Sequence, residues 1–94
     1  MHVISLKRIR EFVSIHPDAK SPLAAWFKIA NRAWQNFAEL RKVYPSADVV
    51  GRDTVFDIAG NKYRLIARVK YQSQTPFIIA IMTHKQYDLG KWKE

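Results

Sequence analysis

Residues 62–70 carry the side chains of this sequence that are best suited to hold an anion. Every second residue from Lys62 to Lys70 except Ile66 is a cation, and alternate residues of an extended strand share one face. Arg64 could hold a phosphate with a planar fork of donors that lysine lacks. Four further cations could hold the flanking backbone of a nucleic acid: Lys62, Arg68, Lys70 and Lys85.

The segment THKQYD, residues 83–88, adds side chains that can move protons. Histidine can serve as a base or an acid near neutral pH, so His84 could activate a 2'-hydroxyl of RNA or protonate the departing 5'-oxygen. Tyr87 could donate a hydrogen bond to the leaving oxygen or stack on a base. This set could cleave RNA without a metal, whereas DNA lacks the attacking hydroxyl. A histidine at a strand end is often structural, so spacing alone leads no further than a basic nucleic-acid-binding domain.

The charge balance is consistent with an anionic partner. Lys and Arg number 16 against 8 Asp and Glu, so the net charge is +8. Such an excess favours nucleic acid or an acidic protein as the partner, although it would also keep a protein soluble without one. The 94 residues, 48% of them hydrophobic, can build one core, so we expect a single domain over 1–94.

Composition excludes several kinds of site. The absence of cysteine excludes disulfides, thiolate zinc sites and a cysteine nucleophile. The three histidines, His2, His16 and His84, are too far apart to form a local ligand cluster, so we expect neither a metal nor another cofactor. No apolar run approaches the ~20 residues of a membrane span, and the charged start is unlike a signal peptide. We therefore expect a cytoplasmic protein without a membrane partner.

The first half of the chain has the pattern of helices. HVIS, residues 2–5, could form a short first strand, and Ser5 is placed to cap a helix that ends near Ile15. Ser21 followed by Pro22 predicts the start of a second helix, because proline has no N–H to lose at the first helical position.

The second predicted helix carries an apolar stripe from Leu23 to Phe37. Asn36 and Glu39 resemble a capping box, so the helix is expected to break there and restart as a short third segment to about Val43. The stripe is typical of a buried helix face and predicts a core rather than a ligand site.

Two alternating runs in the second half, 54–59 and 62–72, predict a β-hairpin. Gly60 and Asn61 between them tolerate the positive φ angles of a two-residue turn. One face then collects side chains for the core: Phe56, Ile58, Tyr63, Leu65, Ala67, Val69 and Tyr71. We therefore expect an α+β fold in which two N-terminal helices, plus the short third segment, pack on one face of a small twisted antiparallel sheet.

The opposite face of the predicted hairpin carries the cations together with two carboxylates. The register sets Asp57 across from Arg64 and Asp53 across from Arg68, and such pairs stabilise a sheet whether or not they have another role. The two lysines of the row have no partner within the hairpin. The face therefore stays net positive.

The run PFIIAIMTH, residues 76–84, predicts a third strand. It is apolar at almost every position, so we expect it to be central and covered on both faces over part of its length. A three-residue loop, 73–75, would set His84 directly beside Arg64. That register would bring the cation, the histidine and Tyr87 over one polar face.

Three segments of the sequence resemble the HigB-type mRNA interferase toxins of the RelE/ParE superfamily. They are YPSADVV at 44–50, VFDIAGNKYRLIARV at 55–69 and THKQYD at 83–88, and the likeness extends to the opening MHVIS and to HPDAKSPLAAWF. The resemblance implies a RelE-like fold and the toxin of a bacterial type II toxin–antitoxin pair. It also implies mRNA cleavage, commonly on the ribosome, and inhibition by a cognate antitoxin. Such antitoxins often carry a helix-turn-helix domain, so operator DNA would be bound only through the antitoxin.

The resemblance also bears on individual residues. Arg64 matches the phosphate-binding arginine of the superfamily, and His84 and Tyr87 fall where such toxins keep acid, base or stacking residues. Some members carry lysines on the strand where this sequence has Val55 and Asp57, so the identity of the general base stays open. Asp57 could be a base, an orienting group for Arg64 or only its cross-strand partner. Asp88 is the second candidate orienting carboxylate.

Two other functions remain open on the sequence alone. A protein of the same fold could inhibit DNA gyrase without catalysis, as the ParE branch does, and His84 and Tyr87 would then have no required role. A plain RNA- or ribosome-binding module would need the charge but no single side chain.

Overall fold

The computed structural model describes residues 6–32, 34–60 and 62–90. Helices come first and strands follow, which confirms the predicted α+β fold. The elements in chain order are α1 (Leu6–Ile15), a 3₁₀ turn (Pro17–Ala19), α2 (Lys20–Ala30), α3 (Phe37–Val43), β1 (Asp48–Val50), β2 (Asp53–Ile58), β3 (Tyr63–Lys70), β4 (Thr75–Thr83) and α4 (His84–Asp88). The predicted first strand, HVIS, lies outside the described residues.

The second helix begins and ends earlier than the sequence pattern predicts. It starts at Lys20, directly after the 3₁₀ turn, so Pro22 is its third residue. A proline fits there because the first four N–H groups of a helix have no partner within the helix. The helix ends at Ala30, and Trp34 lies beyond it, where the Gln74 side chain accepts from the Trp34 N–H (3.0 Å) and donates to its carbonyl (2.5 Å).

Helix α3 begins where its capping residues predict. The Asn36 side chain accepts a hydrogen bond from the backbone N–H of Glu39 at 2.9 Å. This contact satisfies one of the unpaired N–H groups at the helix start. The start of α3 at Phe37 is therefore local in origin.

The four strands form one antiparallel sheet in the order β1-β2-β3-β4. The β2–β3 register is the predicted one, with Asp57 opposite Arg64 and Phe56 opposite Leu65. Gly60 has the predicted positive φ angle (68°), and Ala59 before it also has one (56°). Asn61 lies outside the described residues.

The helices and one face of the sheet enclose the core. Trp26 of α2 packs edge-to-face on Phe56 of β2, with ring centroids 5.5 Å apart, and Tyr44 packs on the same ring at 5.4 Å. Every residue predicted for the core face of the hairpin is buried in this cluster or packs against it: Phe56, Ile58, Tyr63, Leu65, Ala67, Val69 and Tyr71. The opposite face therefore carries the candidate site.

The β3–β4 register differs from the prediction. The connection runs from Tyr71 to Gln74, and β4 then gains one unpaired residue, since Ile66 pairs with Ala80 whereas Ala67 pairs with Ile78. An extra residue of this kind is a β-bulge, and a regular alternation pattern does not predict it. The connection shifts the pairing by three residues from the predicted register, and the bulge shifts it back by one, so Arg64 lies opposite Met82 and not opposite His84.

Among the described strands, β4 is at one end of the sheet, next to β3. The predicted first strand, HVIS, lies outside the described residues, so the central position of β4 stays a prediction. Helix α1 packs against β4, and the Phe12 and Ile15 side chains line a shallow cavity together with Ala80 and Ile81 of the strand.

Candidate active site

Arg64 and Asp57 form an ion pair on the face of the sheet opposite the core that α2 and α3 cover. Arg64 Nε lies 3.1 Å from Asp57 Oδ1, and a terminal nitrogen of the guanidinium donates to the Tyr63 carbonyl at 3.1 Å. Arg64 is only 7% exposed, and Val55 and Ile66 on the same face are buried beside it. A buried arginine keeps its charge, so this pair fixes one positive charge in a low-dielectric setting.

Tyr87 lies over this arginine. The Arg64 Cζ is 5.6 Å from the centre of the Tyr87 ring, within the range of a cation–π contact. The ring reaches this position because α4 follows β4 directly and begins with a capping box. Thr83 Oγ1 accepts from the Gln86 N–H at 3.2 Å, and Gln86 Oε1 accepts from the Thr83 N–H at 3.0 Å.

The phenol of Tyr87 is held in its protonated form. Burial is the main cause that raises the pKa of Tyr87 above its usual value, and Asp48 adds to the increase, while Arg64 acts in the opposite direction. A neutral phenol is a hydrogen-bond donor. Tyr87 can therefore donate to an oxygen on which negative charge develops.

His84 opens the same short helix, three residues before Tyr87. Its backbone N–H donates to the Lys62 carbonyl at 3.1 Å, which ties the start of α4 to the end of the hairpin turn. The ring Nε2 lies 3.5 Å from Asp88 Oδ2, and the His84 side chain is 44% exposed. A histidine that faces solvent beside a carboxylate can exchange protons with a bound substrate.

The remaining predicted cations fall into different surroundings. Arg68 Nε lies 3.0 Å from Asp53 Oδ1, so this predicted pair is present. Lys70 is exposed, and its amine lies 5.2 Å from the centre of the Phe77 ring. Lys85 is exposed on α4. Arg68 and Lys70 thus belong to β3, the strand of Arg64, and Lys85 belongs to α4, the helix of Tyr87.

Lys62 is engaged elsewhere. It lies in the turn before β3, and its amine pairs with Asp18 Oδ2 of the 3₁₀ turn between α1 and α2. The other oxygen of Asp18 accepts from the Tyr63 hydroxyl at 2.6 Å. The bond from Lys62 and that from Tyr63 lower the pKa of Asp18, and the same carboxylate raises the pKa of Lys62. The row of four cations is thus divided, with one member bound to the helical layer.

Two residues near this region are absent from the sequence-based prediction. Asp18 is 44 residues from Lys62 in the chain, and no local pattern could reveal their contact. Asp48 acts on Tyr87 from β1, a three-residue strand that the alternation pattern did not indicate. Its only sequence signal is its place in YPSADVV, one of the segments that carry the family resemblance.

Neither a metal cluster nor a membrane helix is found in the described part of the chain. Over 6–32, 34–60 and 62–90, no three His, Cys, Asp or Glu side chains are grouped so that they could hold a metal ion. Within the same ranges, no helix has the length and apolar character needed to cross a membrane.

Comparison with known sequences shows which family of proteins this chain resembles. The family model HigB_toxin, described as the RelE-like toxic component of a toxin-antitoxin system, matches residues 19–90. The chain is 34% identical over 92 residues to the mRNA interferase toxin HigB of Escherichia coli K12, an alignment that covers 94% of this chain and 88% of the relative. The mRNA interferases HigB of Escherichia coli O157:H7 and Shigella flexneri match to the same extent.

Proposed function

Because the chain belongs to the HigB family of RelE-like toxins of toxin–antitoxin systems, we propose that it is an mRNA interferase, an endoribonuclease that needs no metal. The observation that carries the proposal is the position of Tyr87 over the buried Arg64–Asp57 pair, with His84 one helical turn away. These groups supply a fixed positive charge, a neutral donor and an exposed proton acceptor within one region.

The proposed reaction is attack of the 2'-hydroxyl on the adjacent phosphorus. A base removes the hydroxyl proton, the P–O bond to the 5'-oxygen breaks, and an acid protonates that oxygen. The products are a 2',3'-cyclic phosphate and a free 5'-hydroxyl. Arg64 stabilises the charge that develops on the phosphate oxygens, since a preformed charge is most effective where water is excluded.

We assign the proton transfers to His84 and Tyr87. The phenol is protonated at neutral pH, so it can donate to the leaving oxygen or to a phosphate oxygen. His84 faces solvent and can act as base, with Asp88 beside it to orient the ring. Asp57 is the orienting group for Arg64, because its carboxylate contacts Arg64 Nε directly.

The flanking RNA backbone would be held by the other cations of this face. Arg68, Lys70 and Lys85 lie along β3 and α4, and each phosphate contact would add affinity that falls with salt. Lys62 would join them only by leaving Asp18. We further propose that the substrate is mRNA on the translating ribosome in the cytoplasm. We also propose that the cognate antitoxin carries a helix-turn-helix domain. The toxin–antitoxin pair would then bind operator DNA only through the antitoxin.

The test is to induce the wild type and three variants, Arg64→Ala, His84→Ala and Tyr87→Phe, and to map new RNA 5' ends together with growth. We expect new mRNA ends with the wild type. With Arg64→Ala, we expect the rate of mRNA cleavage to fall by about 10²–10³-fold. Tyr44→Phe is the control for loss of a phenol, because Tyr44 packs on Phe56 in the core.

The proposal is wrong if the wild type produces no new mRNA ends or if all three site variants cleave as well as it does. Relaxed or linearised plasmid with intact mRNA would identify gyrase as the target. RNA binding without cleavage, unaffected by the three substitutions, would identify a plain binding module.

A further inference from the structure

Asp48 of β1 lies on the same face of the sheet as Arg64, and the proposed reaction gives it no role. In the register of the sheet, Asp48 is opposite Val55 of β2. Val55 is in turn opposite Ile66 of β3, which is two residues from Arg64. Residues that are directly opposite in antiparallel strands share a face, and so do residues two apart in one strand. Asp48 therefore belongs to the face that carries the candidate active site.

An electrostatic effect also places the Asp48 carboxylate near this site. Burial is the main cause of the raised pKa of Tyr87, and Asp48 is the next, ahead of the opposing effect of Arg64 beneath the ring. Interactions between exposed charges are largely screened beyond about 10 Å. The carboxylate is therefore in the neighbourhood of a substrate that contacts Tyr87.

Asp48 differs from the other carboxylates of this face in having no counter-ion. Asp57 and Asp53 pair with the arginines opposite them on β3. Asp48 is exposed, and it takes part in none of the ion pairs between described residues. Asp48 Oδ1 accepts from the Val49 N–H at 3.0 Å. A carboxylate has about four acceptor sites, so Asp48 has acceptor capacity left for a ligand.

The chemistry of this carboxylate suits a nucleobase and not a phosphate. An exposed negative charge repels the RNA backbone, so phosphate binding does not explain its place beside Arg64. A carboxylate only accepts hydrogen bonds, and unpaired bases in RNA present N–H donors on their edges. Strands two apart in a sheet are roughly 10 Å from each other. One nucleotide can span the gap, with its phosphate at Arg64 and its nucleobase at Asp48.

We propose that Asp48 recognises a nucleobase that flanks the scissile phosphate and favours guanine. The inference rests on the proposed function, because it assigns the base preference of the same site. Guanine presents two adjacent donors, N1–H and the N2 amine, which one carboxylate can accept together. Adenine and cytosine each offer one amine beside an acceptor. Uracil offers one N–H between two carbonyl groups, which the carboxylate repels, so cleavage is fastest beside guanine and slowest beside uracil.

The test uses ribosome-bound mRNAs that differ in one nucleotide. Cleavage sites of the wild type are mapped first, and each of the two nucleotides that flank a mapped site is then changed to all four bases. The variant is Asp48→Asn. Glu11→Gln is the matched control, because Glu11 is exposed on α1 and the substitution makes the same change in net charge.

The expected result is a loss of discrimination without a loss of cleavage. At one of the two flanking positions, the wild type should cleave the guanine mRNA about tenfold faster than the uracil mRNA. Asp48→Asn should lower this ratio to about twofold or less, because an amide has no charge and presents a donor beside its acceptor. The rate on the uracil mRNA should not fall, since Arg64 and Tyr87 are intact. Glu11→Gln should keep the wild-type ratio.

Inosine tests the same contact at the level of one chemical group. It keeps the N1–H of guanine and lacks the N2 amine. Replacing the guanine by inosine should slow the wild type by about threefold or more and should leave the rate of Asp48→Asn unchanged. Equal effects on the two proteins would show that Asp48 does not contact this edge of the nucleobase.

The outcomes separate this inference from the proposed function. If the wild type cleaves mRNA without preference at either flanking nucleotide, or if Asp48→Asn keeps the preference, the inference is wrong and the proposed function stands. An equal loss of rate on all four mRNAs would give Asp48 a catalytic or structural role and would also contradict base recognition. If the wild type cleaves none of the mRNAs, the proposed function itself is wrong, and the inference fails with it.

Discussion

Two cations that are nearly adjacent in the chain, Arg64 and Lys62, have carboxylate partners in very different surroundings. The Arg64 side chain is 9% exposed and that of Asp57 29%, whereas the values for Lys62 and Asp18 are 61% and 48%. A charge in a low-dielectric site interacts strongly with whatever replaces water around it, while an exposed pair is screened. The position of a cation in the fold therefore determines how strongly it can interact with a bound anion, and its presence in the sequence alone does not.

The largest expected difference between the two cations is in catalysis. We expect Arg64→Ala to lower the rate of RNA cleavage by about 10²–10³-fold, because it removes the charge that stabilises the transition state. Lys62→Ala should lower the rate by less than about fivefold, through weaker backbone binding alone. Single-turnover cleavage of a defined mRNA on purified ribosomes by the two variants measures both rates. Similar losses for the two would remove the distinction between them.

The second difference is in stability. Asp57→Asn removes the carboxylate charge that pairs with the buried Arg64, and we expect the free energy of unfolding to fall by about 2–3 kcal/mol. The matched change Asp18→Asn affects an exposed pair and should alter it by no more than the error of the measurement. Urea unfolding followed by tryptophan fluorescence compares the two variants. A larger loss for Asp18→Asn would reverse the comparison.

The third prediction concerns the activity of the Arg64 site at pH values above neutrality. Because burial raises the pKa of Tyr87, the phenol should stay protonated past the ordinary tyrosine value of about 10. The tyrosine-dependent part of the activity, taken as the ratio of wild type to Tyr87→Phe, should therefore be constant from pH 7 to about pH 10. A pH–rate profile of both proteins tests this. A ratio that declines below pH 9 would show that the phenol loses its proton in the site.

The smallest expected effect is at acid pH. Lys62 and Tyr63 lower the pKa of Asp18 in the folded protein, so the contribution of this carboxylate to stability is present above its ordinary value, about 3.9, and is lost as pH falls through the lower folded value. Asp18→Asn should be slightly less stable than the wild type at pH 7, and this small difference should disappear as pH falls below about 4. A difference in stability that does not change between pH 7 and acid would show that titration of Asp18 contributes nothing measurable.

Parts of the fold that depend on near neighbours could be predicted from the sequence. The helical first half, the cap at Asn36 and the β2–β3 hairpin all follow from contacts within a few residues. Asp57 lies opposite Arg64 because a tight turn fixes the pairing of the strands that it joins. The later register could not be predicted, because the connection at 71–74 shifts the pairing of β3 and β4 by three residues from the predicted one and the β-bulge in β4 then shifts it back by one.

The candidate site also combines features that could be predicted from the sequence with features that could not. The sequence by itself determined which residue types could act on a phosphodiester, and it placed Arg64 beside Asp57. Only the tertiary structure decided that Tyr87 lies over Arg64, that Met82 and not His84 lies opposite it in the sheet, and that Asp18 binds Lys62. The physical reason is that a hairpin pairs residues through local backbone geometry, whereas contacts across 23 or 44 positions form only when helices and sheet pack around a common core.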